Sequence, residues 1–275
     1  MDKRILTVQD ISCVGQCSLT VALPVVSACG IETAVLPSAV LSTHTGGFTG
    51  YTFRDLTADM PAIAAHWKSA GITFDAVYTG YLGSGEQIAH VCAIMDTLLV
   101  PGGLRIVDPA MADNGRLYAG FDDAFVRKMK TLAVHADVLL PNITEASLLT
   151  GIEYRETYDE PYIRSLTDAL LESGVGTVVL TGVSFAPETT GVVVCDKTSF
   201  RYYRHERLQR SCHGTGDVFA SAFTGLLCRG ADAFTAAGAA ADFVLSCMKR
   251  TEPGHTYGVR FEPVLGELAR KAAEF

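Results

Sequence analysis

The strongest constraint on this chain is a rhythm. Short runs of β-branched and apolar residues, "RILTVQDI", "ETAVLPSAVL", "FDAVYTGYL", "LRIVDPA", "ADVLLPNIT" and "GTVVLTG", recur along it. Between them lie helix-length stretches at Ile63–Ala70, Ser84–Leu99, Phe125–Val134 and Glu145–Thr150. Strands that are apolar throughout, alternating with helices, predict a parallel sheet covered on both faces, the α/β class. At 275 residues the chain suits one large domain, and we read residues 1–275 as one.

The alternation breaks near the end. "TGVVVCDKTSFRYYRHERL" reads as a β-hairpin turning at Asp196–Ser199, and three helical segments follow, Asp217–Cys228, Ala233–Lys249 and Pro263–Ala273. Gly230 suits a helix C-terminal cap and Pro263 a first helical turn. A net charge of -8 argues against a nucleic-acid partner, because phosphate neutralisation needs clustered Lys and Arg. No signal-peptide pattern opens the chain and no span of about 18 apolar residues occurs, so a cytoplasmic protein without membrane association is expected. The eight cysteines are scattered and lack zinc-site spacing. Cys212, beside a glycine-rich loop, reads either as a reactive thiol or as a small packing residue.

Four segments carry candidate chemistry. In "HGTGDVFASA" (His213–Ala222), Gly214 and Gly216 let the backbone approach a ligand closely. The N-terminus of a helix starting near Asp217 favours a phosphate there. Asp217 is then either a proton acceptor kept ionised by those N–H groups, or a helix-capping acid. In "PNITEASLL", Asn142 and Glu145 either approach hydrated Mg²⁺ or form a capping box. Asp108 and Asp113 in "VDPAMADNG" follow a strand, where α/β proteins bind ligands, or belong to a turn. Residues 41–53, "LSTHTGGFTGYTF", have the hinge glycines and aromatics of a lid over a ring-shaped substrate, or form an ordinary loop. Tyr81 follows another strand, with a place in the core as its plain alternative.

Together "HGTGD", "PNITE", "VVLTG" and "VDPAMADNG" resemble, in order and over nearly the whole chain, the ribokinase superfamily. "DIS", "GQCS", "THTGG" and "YTGYLGS" resemble its pyridoxal kinase branch. The resemblance implies a three-layer sandwich around a mainly parallel sheet, and an ATP- and Mg²⁺-dependent kinase for the 5′-hydroxyl of a B6 vitamer. It also implies a homodimer, and leaves a requirement for K⁺ open. By position, Asp217 resembles the catalytic base, and Gly214, Thr215 and Gly216 the anion hole. Asn142 and Glu145 resemble the Mg²⁺-phosphate motif, while Asp108, Asp113, Thr181 and Gly182 fall on the nucleotide side. Ser12, His44, Thr45 and Tyr81 match positions around the pyridine ring. Kinases of the thiamin pyrimidine commonly carry Cys in place of the base, so Asp217 points to a B6 vitamer. A hydroxymethylpyrimidine or other small-alcohol kinase, and a non-catalytic vitamer sensor, are the alternatives.

Overall fold

The computed structural model describes residues 3–275. The chain begins with β1 (Arg4–Ser12), α1 (Leu19–Ala28) and β2 (Glu32–Leu41), which pairs parallel to β1. A short edge strand, β3 (Phe53–Asp55), turns back antiparallel to β2. The chain then passes through α2 (Met60–Ser69) to β4 (Phe74–Thr79), which pairs with the other side of β1. From there α3 (Gly85–Leu98), β5 (Leu99–Val107), α4 (Asp123–Ala133), β8 (Val138–Leu139), α5 (Ile143–Thr150), α6 (Glu160–Glu172) and β9 (Thr177–Ala186) extend the parallel sheet. A two-stranded ribbon, β6 (Ala112–Asp113) and β7 (Arg116–Leu117), stands apart after β5. The hairpin partners β10 (Thr189–Cys195) and β11 (Phe200–Glu206) add antiparallel strands at one edge. The sheet order is β11-β10-β9-β8-β5-β4-β1-β2-β3.

Both faces of this sheet are buried, which explains the unbroken apolar runs. Leu6, Val8, Val77, Val107 and Leu180 face a core closed by α2 to α6. Their strand neighbours Ile5, Ala76, Tyr78, Ile106 and Val179 face a second core. That core is closed by α1 with α7 (Thr215–Arg229), α8 (Ala233–Arg250) and α9 (Leu265–Ala272). Each fully buried aliphatic side chain contributes about 1.5–3 kcal/mol, so a strand with two apolar faces is held twice over. The expected three layers are present.

Several boundaries differ from expectation. The helix bearing Asp217 starts at Thr215 rather than near Asp217, with Gly214 as its N-cap at φ 77°. Pro263 lies second in a short 3-10 turn, Glu262–Val264, ahead of α9 rather than in the first turn of the helix itself. Two helices escape the sequence reading. In α1 the run "LTVALPVVSA" holds Pro24 and β-branched residues, which disfavour a helix. In α6 the signals were present, since Asp159 accepts from the Tyr162 amide and proline occupies the first turn. Gly230 does cap α7, at φ 125°.

This topology places the site. From β1 the chain steps to β2 on one side and returns to β4 on the other, so a crevice opens at the carboxyl ends of those strands. Ser12, Thr79, Val107 and Leu139 end the parallel strands there.

Candidate active site

At the carboxyl ends of β5 and β8, a cleft of about 820 Å³ is lined by Asp113, Asn142, Thr144, Thr181, Gly182 and Thr215, among others. Five residues picked out on the nucleotide side and in the glycine loop therefore share one cavity. Thr181 bridges to Asn142 and donates from its amide to the Pro141 carbonyl at 2.9 Å. Gly182 is exposed at φ 74°, a backbone angle that favours glycine. Asp113 is exposed, and its carboxylate accepts from the amide and side chain of Asn114. Cys212 is half-buried, packs on the second core and borders the same cleft.

Asn142 and Glu145 form the capping box. Asn142 Oδ1 accepts from the Glu145 amide at 2.9 Å, and Glu145 Oε2 accepts from the Asn142 amide at 2.9 Å. Glu145 Oε1 also takes the Met111 amide at 3.1 Å, and Asn142 Nδ2 donates to the Ala112 carbonyl at 2.8 Å. These groups fasten α5 to the segment after β5. Burial pushes the Glu145 carboxyl up, against the downward pull of the three backbone N–H groups of Asn142, Met111 and Ala112. Beside it Asp108 is also raised, by burial first and then by the charges of Glu145 and Asp217. No described residue hydrogen-bonds the Asp108 carboxylate, so this corner gathers negative charge that a cation would relieve.

Asp217 lies across from that corner, third in α7. No side chain caps this helix, so Asp217 is not a cap. The first-turn amides of α7 have no partners within the helix and are available to an anion. Gly214 is required twice, by its positive φ and because any Cβ there would run into the Gln16 carbonyl. Gly216 differs, since a Cβ there would meet nothing within 4 Å and would project into open space.

The N–H groups near Asp217 do not dominate its ionisation. Burial and the charge of Asp10 raise its pKa to about 7, outweighing the Ser18 amide, its own amide and the Cys17 thiol. The expectation that helix amides keep it ionised is corrected: desolvation is the larger effect. Its proton affinity is thereby tuned to neutral pH.

The acceptor side assembles around Asp10 at the end of β1. Ser12 is buried and its hydroxyl donates to Asp10 at 2.9 Å. Tyr81 stacks on Phe121 at 5.4 Å, and its hydroxyl is pushed up to about 12 by burial and then by Asp10. His44, 4% exposed, sits 5.6 Å from the His213 ring and 5.0 Å from Phe48. His44 Nδ1 accepts from the Gly46 amide, so Nε2 carries the proton, and it is buried without a hydrogen-bond partner. Thr45 is exposed and makes no hydrogen bond to the other residues of the site. Residues 42–52 form no helix or strand.

Asp10, Cys17 and Ser18 lie in the segments "DIS" and "GQCS", but the sequence alone assigns them no role in the site. The available signal was an acid interrupting a buried apolar run, as Asp108 does after β5. A sequence profile of the phosphomethylpyrimidine kinase family matches residues 23–260. A Bacteroides thetaiotaomicron structure named as a phosphomethylpyrimidine kinase, crystallised with pyridoxal, is 36% identical, with a TM-score of 0.91, covering 98% of this chain and 96% of that one. Pyridoxal kinase from Lactobacillus plantarum is 32% identical, with a TM-score of 0.91, over 99% of this chain and 98% of that one. The hydroxymethylpyrimidine/phosphomethylpyrimidine kinase of Bacillus subtilis is 27% identical over 223 residues, 80% of this chain and 77% of that protein. Sequence and fold agree over nearly the whole length, and the chain belongs to the pyridoxal/phosphomethylpyrimidine kinase family of ribokinase-like proteins.

Proposed function

We propose that this kinase transfers the γ-phosphoryl group of ATP to the 5′-hydroxyl of pyridoxal, pyridoxamine or pyridoxine. The observation that carries the reading is Asp217, a carboxylate with a pKa near 7 beside the open amides of α7. An alcohol must lose a proton as it attacks phosphorus, so it needs such a base. A phosphate acceptor is already ionised and would be repelled by Asp10 and Asp217. This favours the hydroxymethyl acceptor over the phosphorylated pyrimidine that the family description names. The pyridoxal held by the Bacteroides relative supports the same choice.

In the proposed reaction the cleft lined by Asn142, Thr181 and Gly182 holds the nucleotide, while His44, Ser12 and Tyr81 hold the pyridine ring. The amides of Thr215 and Gly216 orient the transferring group and offset its charge. Asp217 takes the hydroxyl proton as the new P–O bond forms and ADP departs. Asp108, a buried carboxylate whose proton affinity is raised by burial and then by Glu145, fits a cation, whereas Asn142 and Glu145 are committed to the capping box. Among the described residues no closed cluster of three metal-ligating side chains occurs. Mg²⁺ characteristically binds through one or two carboxylates, water and substrate phosphates. When bound it would neutralise phosphate charge, with Asp108 holding it or its waters. Residues 41–53 are proposed as the lid.

The second reading, a hydroxymethylpyrimidine kinase, draws on the Bacillus subtilis relative. ADP release measured with pyridoxal, pyridoxamine, pyridoxine, hydroxymethylpyrimidine and its phosphate separates the two. Turnover is expected with at least one B6 vitamer; turnover with the pyrimidine alone overturns the main reading.

A further inference from the structure

The strand that carries Thr181 and Gly182 is irregular where it borders the cleft. Thr181 stands opposite Val192 of β10 and Val183 opposite Gly191, so Gly182 is an extra residue between two paired ones. A glycine at φ 74° in that place makes a β-bulge, which bends its strand and is frequent beside active sites. A side chain at 182 would meet nothing within 4 Å, so this stretch of backbone faces open space in the cleft wall.

Backbone groups displaced from a ladder need other partners. Two tyrosines supply them here. The Tyr158 hydroxyl accepts from the Ser184 amide at 3.0 Å and donates to the Gly182 carbonyl at 3.4 Å, so one side-chain oxygen spans the bulge. Tyr202, from β11, donates to the carbonyl of buried Val183 at 3.0 Å. Tyr158 arrives from residues 152–159, the link between α5 and α6, which form no helix or strand. Its ring stands edge-on to Phe185 at 6.4 Å, lies 6.0 Å from Tyr162 and lines the same cleft as Gly182.

We propose that Tyr158 is a positioning residue for the nucleotide: its hydroxyl holds the Gly182 bulge in the shape that presents the Gly182 backbone to the phosphate chain of ADP or ATP. The inference rests on the reading of this cleft as the nucleotide site. In a regular strand the amide and carbonyl of residue 182 would lie in the plane of the sheet, spent on the ladder. The bulge turns them out of that plane, and the Tyr158 hydroxyl, bonded on both sides of the extra residue, keeps them there. A backbone fixed before the ligand arrives loses less freedom on binding, and the saving appears as affinity. Were Tyr158 only a filler for the bulge, removing its hydroxyl would cost stability and spare the nucleotide.

The test is Tyr158→Phe, which keeps the ring and removes the hydroxyl, read by calorimetry with ADP and by steady-state kinetics with ATP and pyridoxal. The dissociation constant for ADP and the KM for ATP are expected to rise about two- to tenfold, the worth of one such hydrogen bond. KM for pyridoxal and kcat at saturating ATP should hold, as for lost uniform binding of one substrate. Gly182→Ala reaches the bulge independently, because its backbone angle opposes any Cβ. ADP affinity should fall there at least as far, and unchanged affinity overturns the proposal. Tyr162→Phe removes a neighbouring hydroxyl that bonds Glu153 and Ser147 rather than the bulge. It should lower the melting temperature and spare ADP; an equal loss of ADP affinity would mean general loosening and also overturns the proposal. ADP bound equally by wild type and Tyr158→Phe overturns the role of Tyr158 alone, whereas a folded wild type that binds no ADP overturns the nucleotide reading of the cleft and this inference with it.

Discussion

Glu145 and Asp217 occupy the same local position, third in a helix that starts at the carboxyl edge of the sheet, yet they are built for different work. In α5 the N-cap is Asn142, and Glu145 is spent on the amides of Asn142, Met111 and Ala112. In α7 the N-cap is Gly214, which has no side chain to give, and Asp217 faces Asp10 and the open crevice. One acid is tied into the scaffold and the other is left with its charge opposed. The difference lies in the residue three places earlier: asparagine closes a helix N-terminus and glycine leaves it open for an anion.

The largest break in this comparison should come from Asp217→Asn. Loss of the proton acceptor is expected to cost roughly 10²–10⁴-fold in turnover, measured by ADP release, with nucleotide binding retained. The same variant should be more stable than wild type. The Asp217 pKa is raised in the fold, so the folded protein holds a proton that the unfolded chain releases between about pH 4 and 7. Stability from this group is therefore full below about pH 4 and declines as pH rises to 7. The melting temperature of Asp217→Asn should pull ahead of wild type across that window and run parallel above it. A constant gap across that window would break the assignment.

Gly214→Ala should come next, with a loss of about 2 kcal/mol or more in chemical denaturation, because the left-handed angle and the Gln16 carbonyl both oppose a Cβ. Glu145→Gln should lose about 1–3 kcal/mol, since its amide would turn a donor toward backbone N–H groups. Asn142→Ala should lose about 1 kcal/mol as the cap is removed. If Glu145→Gln keeps full stability, the contrast between the two acids falls.

The smallest effect on stability belongs to Gly216→Ala. The site is open and alanine is the better helix former by about 1 kcal/mol, so the fold should hold or gain. ADP affinity, measured by calorimetry, should nonetheless fall, because the methyl group would occupy the space before the amides. Unchanged affinity would place the phosphate elsewhere.

The layers were legible because burial on two faces leaves its mark directly on the strands, as in "RILTVQDI" and "GTVVLTG". The glycine loop was legible because Gly214 meets a backbone requirement no other residue satisfies cheaply. The capping box could be read as a pattern, but whether Asn142 and Glu145 serve the helix or a ligand depended on the Met111 and Ala112 amides, which arrive from a different strand. Asp10 and Ser18 stand in the legible segments "DIS" and "GQCS", yet their place in the site was illegible for a related reason: spacing does not show that β1 would slip in register or that α7 would bring Asp217 near them.

The sequence by itself determined the α/β class, the order of its main strands and the position of the open helix N-terminus, all of which follow from local chain chemistry and burial pattern. The tertiary structure alone decided which acids meet. Residues 10, 108, 145 and 217 are far apart along the chain, and ionisation depends on desolvation and on charges a few ångströms away, quantities that exist only once the sheet has gathered its strand ends at one edge.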